Sequence, residues 1–312
     1  MKITADGKTK LTLVFVMALW GGSFIASKIG LEGLYPVELA TLRFAIAVPL
    51  LIAITLLIEG RKAFRIAPKD LPVLIIMALT GVTLQYIVQF AAMTFTSVTN
   101  TALLINMGTF FVIIPSALFL KERLSIDNIM GIVIAFLGAA LVATNGVFAF
   151  TPNLIGDGLV ILCAVMWAIY ILVGNKLAGK YSVLSQLNYI FIIGFIGLLP
   201  VYFLTPHHAF GSLSITTWEC ILYLAVVCSV IAYFFFNDAI IRLGPSKTAI
   251  YQYLEPFFAI VLAIALLSEP LTAAIAMGAA FIIAGIAMAD NNLKILGYFI
   301  KSPEPAKKEH GP

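Results

Sequence analysis

Apolar positions fall into ten continuous runs, at about 11–31, 36–58, 71–93, 98–120, 126–144, 154–176, 183–205, 216–240, 248–267 and 271–289. Crossing roughly 30 Å of hydrocarbon takes about 20 mostly apolar residues in a helix, and each run approaches or reaches that length. The runs are unbroken rather than alternating, which excludes the strands of a membrane β-barrel. Inside them, polar residues recur at helical spacing. Gly81, Gln85 and Gln89 share one face of the third run, and Ser229, Tyr233 and Asn237 share one face of the eighth. Ser23 pairs with Ser27 on the first, Asn106 with Thr109 on the fourth, and Tyr251 with Glu255 on the ninth. Each pair alone fits an interhelical hydrogen bond of about 0.6–2 kcal/mol. Several stripes together point to a wet central cavity.

The second five runs repeat the first five at a constant offset of 147 residues. That shift superposes Trp20 on Trp167, Thr101 on Thr248, Phe110 on Phe257, Glu122 on Glu269, Gly131 on Gly278 and Gly138 on Gly285. Asn106 falls on Tyr253, so the same place in each copy carries a polar group. A unit with an odd number of crossings ends on the side opposite its start, so the second copy is expected upside down. Inverted repeats of this kind let many secondary transporters expose a midplane site to alternate sides. The fifth run carries Gly131 and Gly138 with Ala135, Ala139 and Ala140, the tenth carries Gly278 and Gly285 with Ala279, Ala280 and Ala284, and both read as packing scaffold or partner-facing surface.

Composition sharpens this picture: 62% of the 312 residues are hydrophobic, 11% are charged, and mean hydropathy is +1.06. A water-soluble domain could not cover that apolar surface. Basic residues sort by loop. Seventeen of nineteen lie before the first run, in the even-numbered connections or in the tail, and the odd-numbered connections hold none. The excess of Lys and Arg marks the cytoplasmic side, so both termini are expected in the cytoplasm, with the protein multi-pass in the cytoplasmic (inner) membrane. The net charge of +4 is met by anionic headgroups and needs no nucleic acid. Four units follow: a cytoplasmic segment 1–10, repeats 11–145 and 146–290, and a cytoplasmic tail 291–312. The first run resembles a signal sequence at its start, but its length and Lys28 argue for a retained helix. In the tail, 293–300 could lie on the membrane surface, with disorder expected after Pro303.

The two basic residues outside that sorting are Lys28, late in the first run, and Arg43, inside the second. Arg43 lies eight residues from Tyr35, about 12 Å along a helix, where a charge must face protein or water or snorkel to the interface. Glu255 lies at a similar depth in the ninth run and precedes Pro256, which removes a backbone donor and loosens the turn. It fits a substrate or proton site, or a structural carboxylate capped by a neighbour. Asp238 reads as interfacial.

The segments LWGGSFIASKIG (19–30), LRFAIA around Arg43, FLKERLS (119–125) and LEPFFAIVLAIALLSEPL (254–271) together resemble the EamA branch of the drug/metabolite transporter superfamily. The resemblance spans about 11–289. It implies ten helices in two inverted halves, with helices one to four and six to nine around a central cavity and five and ten behind it. It also implies movement of small metabolites, often amino acids or amphipathic toxic compounds, usually outward. Carried over by motif are Trp20 and Trp167 near paired cavity mouths, Arg43, and Glu255 with Pro256. The halves differ where Arg43 falls opposite Ile190 and Lys28 opposite Asn175.

Other classes fare worse. G-x-S-x-G, H-E-x-x-H and C-x-x-C are absent, and His207, His208 and His310 lie outside the runs, so histidine catalysis within the bilayer is excluded and no enzyme, catalytic group, metal or cofactor is expected. A channel would favour rings of like groups in an oligomer. The three cysteines lie in or beside apolar runs and suggest no disulfides. The expected protein is therefore an all-α polytopic exporter or exchanger, monomeric or homodimeric, with protons or a counter-substrate as candidate coupling partners. Its expected substrate-contacting residues are Trp20, Ser23, Ser27, Lys28, Arg43, Gln85, Gln89, Asn106, Trp167, Tyr170, Tyr233, Asn237, Tyr251 and Glu255. The cations bias it toward anionic or zwitterionic solutes, and the aromatic rings add apolar and cation-π contacts.

Overall fold

The computed structural model describes residues 5–93, 95, 104–120, 122, 125–147, 153–209, 211, 213–267 and 272–290. The expected tail, the beginning of the fourth run and the loop cations Lys121 and Arg123 lie outside them. Among the described residues the regular structure is helical. In chain order the segments are α1 (Ala5–Gly33), α2 (Pro36–Ile58), α3 (71–93), α4 (Gly108–Phe119) and α5 (Ile126–Thr144). They continue as α6 (Leu154–Gly174), α7 (Val183–Leu204), α8 (Ile215–Leu243), α9 (245–267) and α10 (Ala273–Ala289). Eight are long and apolar enough to cross a membrane, while α4 and α10 are apolar but shorter.

Local chemistry sets the boundaries. Pro36 opens α2 with its φ already helical, and the Glu38 carboxylate accepts the Tyr35 N–H at 3.1 Å. Ser125 caps α5 through the Asn128 N–H, and Thr272 caps α10 through the Ile275 N–H. These two caps are 147 residues apart, so the repeat is written into the helix starts. Ser182 and Ser214 cap α7 and α8 in the same way.

Two helices are widened at matching places. Leu79–Thr83 in α3 and Tyr223–Ile231 in α8 are π-helical, and the first, shifted by 147, falls inside the second. Turns of this kind leave backbone carbonyls for side chains to engage. A second matched irregularity interrupts the ninth and fourth segments: the 3₁₀ turn Tyr251–Tyr253 in α9 and the turn at Asn106 and Met107 before α4.

Packing interleaves the halves. α1 lies against α8 and α9, and α6 against α3 and α4; α2 meets α7, and α5 meets α10. Exchanging the halves maps this set onto itself, as a two-fold relation requires. The α5–α10 seam is the most extensive. A methyl group on Gly138 would sit 2.6 Å from the Gly278 carbonyl oxygen, and one on Gly278 would sit 2.7 Å from that of Gly138. Backbone therefore meets backbone there, and the small-residue stripes face each other.

Candidate functional site

Arg43 is only 7% exposed. Its Nε–H donates to Ser229 Oγ at 2.5 Å, and its guanidinium carbon lies 5.1 Å from the Tyr86 ring centre and 5.5 Å from that of Phe44. The Ser229 hydroxyl donates to the Leu224 carbonyl, five residues earlier, as the π-helical turn allows. The side chain thus turns into the bundle toward the middle of α8 and does not snorkel. Among the described residues no carboxylate pairs with it. Aromatic faces offset part of the desolvation of such a cation, at about 2 kcal/mol when buried. They leave its terminal N–H groups available for a forked bond to a carboxylate.

Glu255 stands in the first turn of α9's second helical piece, where its backbone carbonyl abuts Gly21 of α1. Gly21 is needed there, since a Cβ would meet the Phe258 Cβ and the Ala259 nitrogen at 2.8 Å. The Cys228 thiol, next in sequence to the Ser229 that holds Arg43, donates to the Leu19 carbonyl at 3.5 Å, two residues from the Gly21 that Glu255 abuts. Arg43, through Ser229, and Glu255 therefore both border the Leu19–Gly21 stretch of α1, and among the described residues they form no ion pair.

Beside them the centre is filled with rings. Trp20 and Trp167, equivalent in the two halves, meet edge to face at 5.8 Å, and both contact Tyr233 and Phe236. Tyr170 stacks on Trp167 at 5.0 Å, and its hydroxyl donates to Asn237 Oδ1 at 2.9 Å. The Trp20 indole donates to the Cys228 carbonyl at 3.1 Å, and the Tyr233 hydroxyl donates to the Gly81 carbonyl at 3.2 Å. Cys228 and Gly81 are 147 residues apart, in the two π-helical turns. Edge-to-face pairs contribute about 0.5–1.5 kcal/mol each beyond their burial, so the core is held by both ring contacts and indole and phenol donors.

Each end of the bundle carries its own clasp. Where α1 begins, Lys10 pairs with Asp290 at 2.5 Å, and the Tyr251 hydroxyl reaches the same carboxylate at 3.4 Å. At that end Asp70, before α3, accepts from Lys180 at 3.1 Å and from the Tyr181 hydroxyl at 2.8 Å, docking the α2–α3 connection onto the α6–α7 connection. Where α2 begins, buried Glu38 accepts the His208 backbone N–H at 2.7 Å and faces His208 Nδ1 at 2.9 Å, while Tyr35 stacks on the His208 ring.

The structure brings Trp20, Arg43, Trp167, Tyr170, Tyr233, Asn237 and Glu255 into this central region. Lys28 is exposed and stands apart from it. The Ser23 hydroxyl turns back onto the Trp20 carbonyl at 2.6 Å, and Ser27 and Gln89 are half-buried. Gln85, with its amide nitrogen toward Thr80 O at 3.3 Å and Cys163 O at 3.1 Å, ties α3 to α6. Asn106 lies in the turn before α4, and Tyr251 belongs to the Lys10–Asp290 clasp. The inward stripes are therefore spent largely on interhelical hydrogen bonds, because a buried amide or hydroxyl left without a partner costs about 1–3 kcal/mol. Asp238 pairs with Arg242 one turn on at 2.6 Å and is partly exposed. Ser229's bond to Arg43, Tyr86 beneath the guanidinium, and the Glu38–His208 clasp went unread in the sequence. Tyr86 is the repeat partner of Tyr233, and that equivalence was the available signal.

Eight apolar helices of membrane-crossing length, packed as two interleaved sets, define a polytopic membrane protein. The EamA-like transporter family pattern matches twice, at 8–144 and 154–289, and the chain belongs to that family. An "Uncharacterized transporter" of Archaeoglobus fulgidus is 33% identical over 283 residues, covering 90% of this chain and 96% of that protein. A "Probable terminal-alkyne amino-acid exporter" of Streptantibioticus cattleyicolor is 26% identical, over 96% of this chain and 99% of its own length. A crystal structure matches with a TM-score of 0.78 at 20% identity, over 92% of this chain and 99% of that one, a likeness of fold alone. The family and these relatives carry transporter names, not enzyme names.

Proposed function

We propose that this transporter exports or exchanges small zwitterionic, amphipathic metabolites, amino acids and their relatives, across the cytoplasmic membrane by alternating access. The observation carrying this reading is Arg43: a buried guanidinium with Nε committed to Ser229 and no acidic partner among the described residues, on the same stretch of α1 that Glu255 abuts. A substrate carboxylate would take the terminal N–H groups of Arg43 in forked geometry. Its ammonium group would face Glu255, and its apolar part the rings of Trp20, Trp167 and Tyr233. Glu255 also offers a place for a proton when the amine leaves.

In this reading ten spans form two inverted five-helix halves with both termini cytoplasmic, which the loop distribution of Lys and Arg supports. The two π-helical carbonyls would then be alternate seats. Here Trp20 holds Cys228 and Tyr233 holds Gly81. When the halves exchange conformations, their equivalents Trp167 and Tyr86 would take the opposite seats, on Gly81 and Cys228 respectively. The exporter name of one relative supports the substrate class.

The test is a charge series in proteoliposomes: an apolar amino acid, its methyl ester and its N-acetyl derivative, against wild type, Arg43→Gln and Glu255→Gln. The reading expects wild type to prefer the zwitterion, Arg43→Gln to lose the preference over the ester, and Glu255→Gln to lose the preference over the acetylated acid. Unchanged selectivity in both variants would remove Arg43 and Glu255 from the site.

A further inference from the structure

Away from the centre, α1, α8 and α9 form a second surface. Two adjoining cavities there share Thr12 and Phe235 in their walls. One, of about 220 Å³, lies at the end where α1 begins and is lined by Lys8, Asp238 and Arg242. The other, of about 500 Å³, continues along the bundle between Leu11, Phe15, Ala18 and Phe258. Leu11 and Phe15 are more than half exposed, so this groove opens sideways to the membrane.

Length, polarity and charge all constrain the occupant. Lys8 to Ala18 is ten residues, about 15 Å of helix, which matches one leaflet of a hydrocarbon core roughly 30 Å thick. The polar cavity holds two cations against one carboxylate. Arg242 gives its Nε–H to Asp238 and keeps its terminal N–H groups, while Lys8 is exposed and makes no ion pair among the described residues. A net positive headgroup pocket joined to an apolar slot one leaflet deep fits a lipid with an anionic head. Basic pockets between helices at a membrane surface recognise such heads, and the slot supplies acyl burial.

We propose that this surface binds one anionic glycerophospholipid from the leaflet at the α1 amino-terminal end. Its phosphate lies between Lys8 and Arg242, and one acyl chain runs past Leu11 and Phe15 to Phe258. The chain end stops one turn from Glu255, where Phe258 abuts Gly21. The lipid thus braces the α1–α8–α9 seam that the Trp20 to Cys228 bond crosses. The proposal depends neither on the substrate nor on which side of the membrane this end faces.

Delipidated full-length protein, melted in detergent, tests it with four probes: phosphatidylglycerol, phosphatidylcholine of the same chains, soluble glycerol phosphate, and dodecanoate. The expected result is a rise in Tm of about 3 °C or more with phosphatidylglycerol alone. Lys8→Gln with Arg242→Gln should abolish that rise, Ala18→Trp should reduce it by filling the slot, and Asp238→Asn should enlarge it. Native mass spectrometry of the wild type, which needs no variant to fold, should show one phosphatidylglycerol retained more firmly than phosphatidylcholine. Equal stabilisation by both lipids, or a response kept by the double variant, overturns the proposal. So does an equal rise with glycerol phosphate, which marks a plain anion site, or with dodecanoate, which marks an amphiphile or substrate site.

Discussion

The indole of Trp20 donates to the Cys228 carbonyl at 3.1 Å, while its repeat equivalent, Trp167, donates to no carbonyl among the described residues. Tyr233 occupies the equivalent carbonyl, that of Gly81, instead. Two matched halves thus hold their matched seats with different side chains. That asymmetry distinguishes the two halves at positions that the repeat makes equivalent.

Trp20→Phe keeps the ring and removes the donor, so this conformation loses about 1 kcal/mol and opens about fivefold more often. Alkylation of Cys228 by a membrane-permeant maleimide, followed by mass spectrometry, reads the opening. The rate should rise about fivefold in Trp20→Phe and stay unchanged or fall in Trp167→Phe. Equal acceleration in both would mean the rings pack without latching.

Ser229 fixes the Arg43 guanidinium through Nε. Replacing it with Ala removes a charge-assisted bond of about 1.5–3 kcal/mol, leaving the cation present but loosely aimed. Transport by Ser229→Ala should show KM raised roughly tenfold with turnover little changed, and Ser229→Thr should recover most of the affinity, since it keeps the hydroxyl. A loss of turnover at unchanged KM would assign Ser229 to conformational change instead.

Much of this site could be read from residue order, for physical reasons. A cation such as Arg43 inside an apolar run must be held by something, and Trp20 and Trp167 mark themselves by falling at one offset. Lys28 carries the same charge, but its place close to the helix end favours reaching the interface, and it is exposed where Arg43 is buried. The π-helical turns were illegible because an inserted residue per turn is stabilised by distant partners: Trp20 for Cys228, Tyr233 for Gly81. The Glu38–His208 clasp joins groups 170 positions apart, beyond any local pattern.

Gly138 faces the backbone of α10 with no room for a side chain. Gly138→Val should force the α5–α10 seam apart and cost about 1–3 kcal/mol. Denaturant titration in mild detergent should show the loss, and Gly278→Val should match it because the seam is reciprocal. A neutral effect at both would contradict the observed close approach.

Glu38 is buried, accepts the Tyr35 and His208 backbone N–H groups, and faces the His208 ring nitrogen Nδ1. Glu38→Ala orphans backbone donors and should cost about 2 kcal/mol, whereas His208→Ala keeps the backbone bond and should cost about 1 kcal/mol or less. Thermal denaturation of the two variants checks the order. The reverse order would place the strength of the clasp in the imidazole.

Counterflow in proteoliposomes tests alternating access most directly. Vesicles preloaded with an unlabelled apolar amino acid should take up a labelled trace transiently above equilibrium, and the uptake should saturate with external concentration. Uptake that rises linearly, with no overshoot and no dependence on internal substrate, would describe a pore and contradict a carrier that exchanges its two halves.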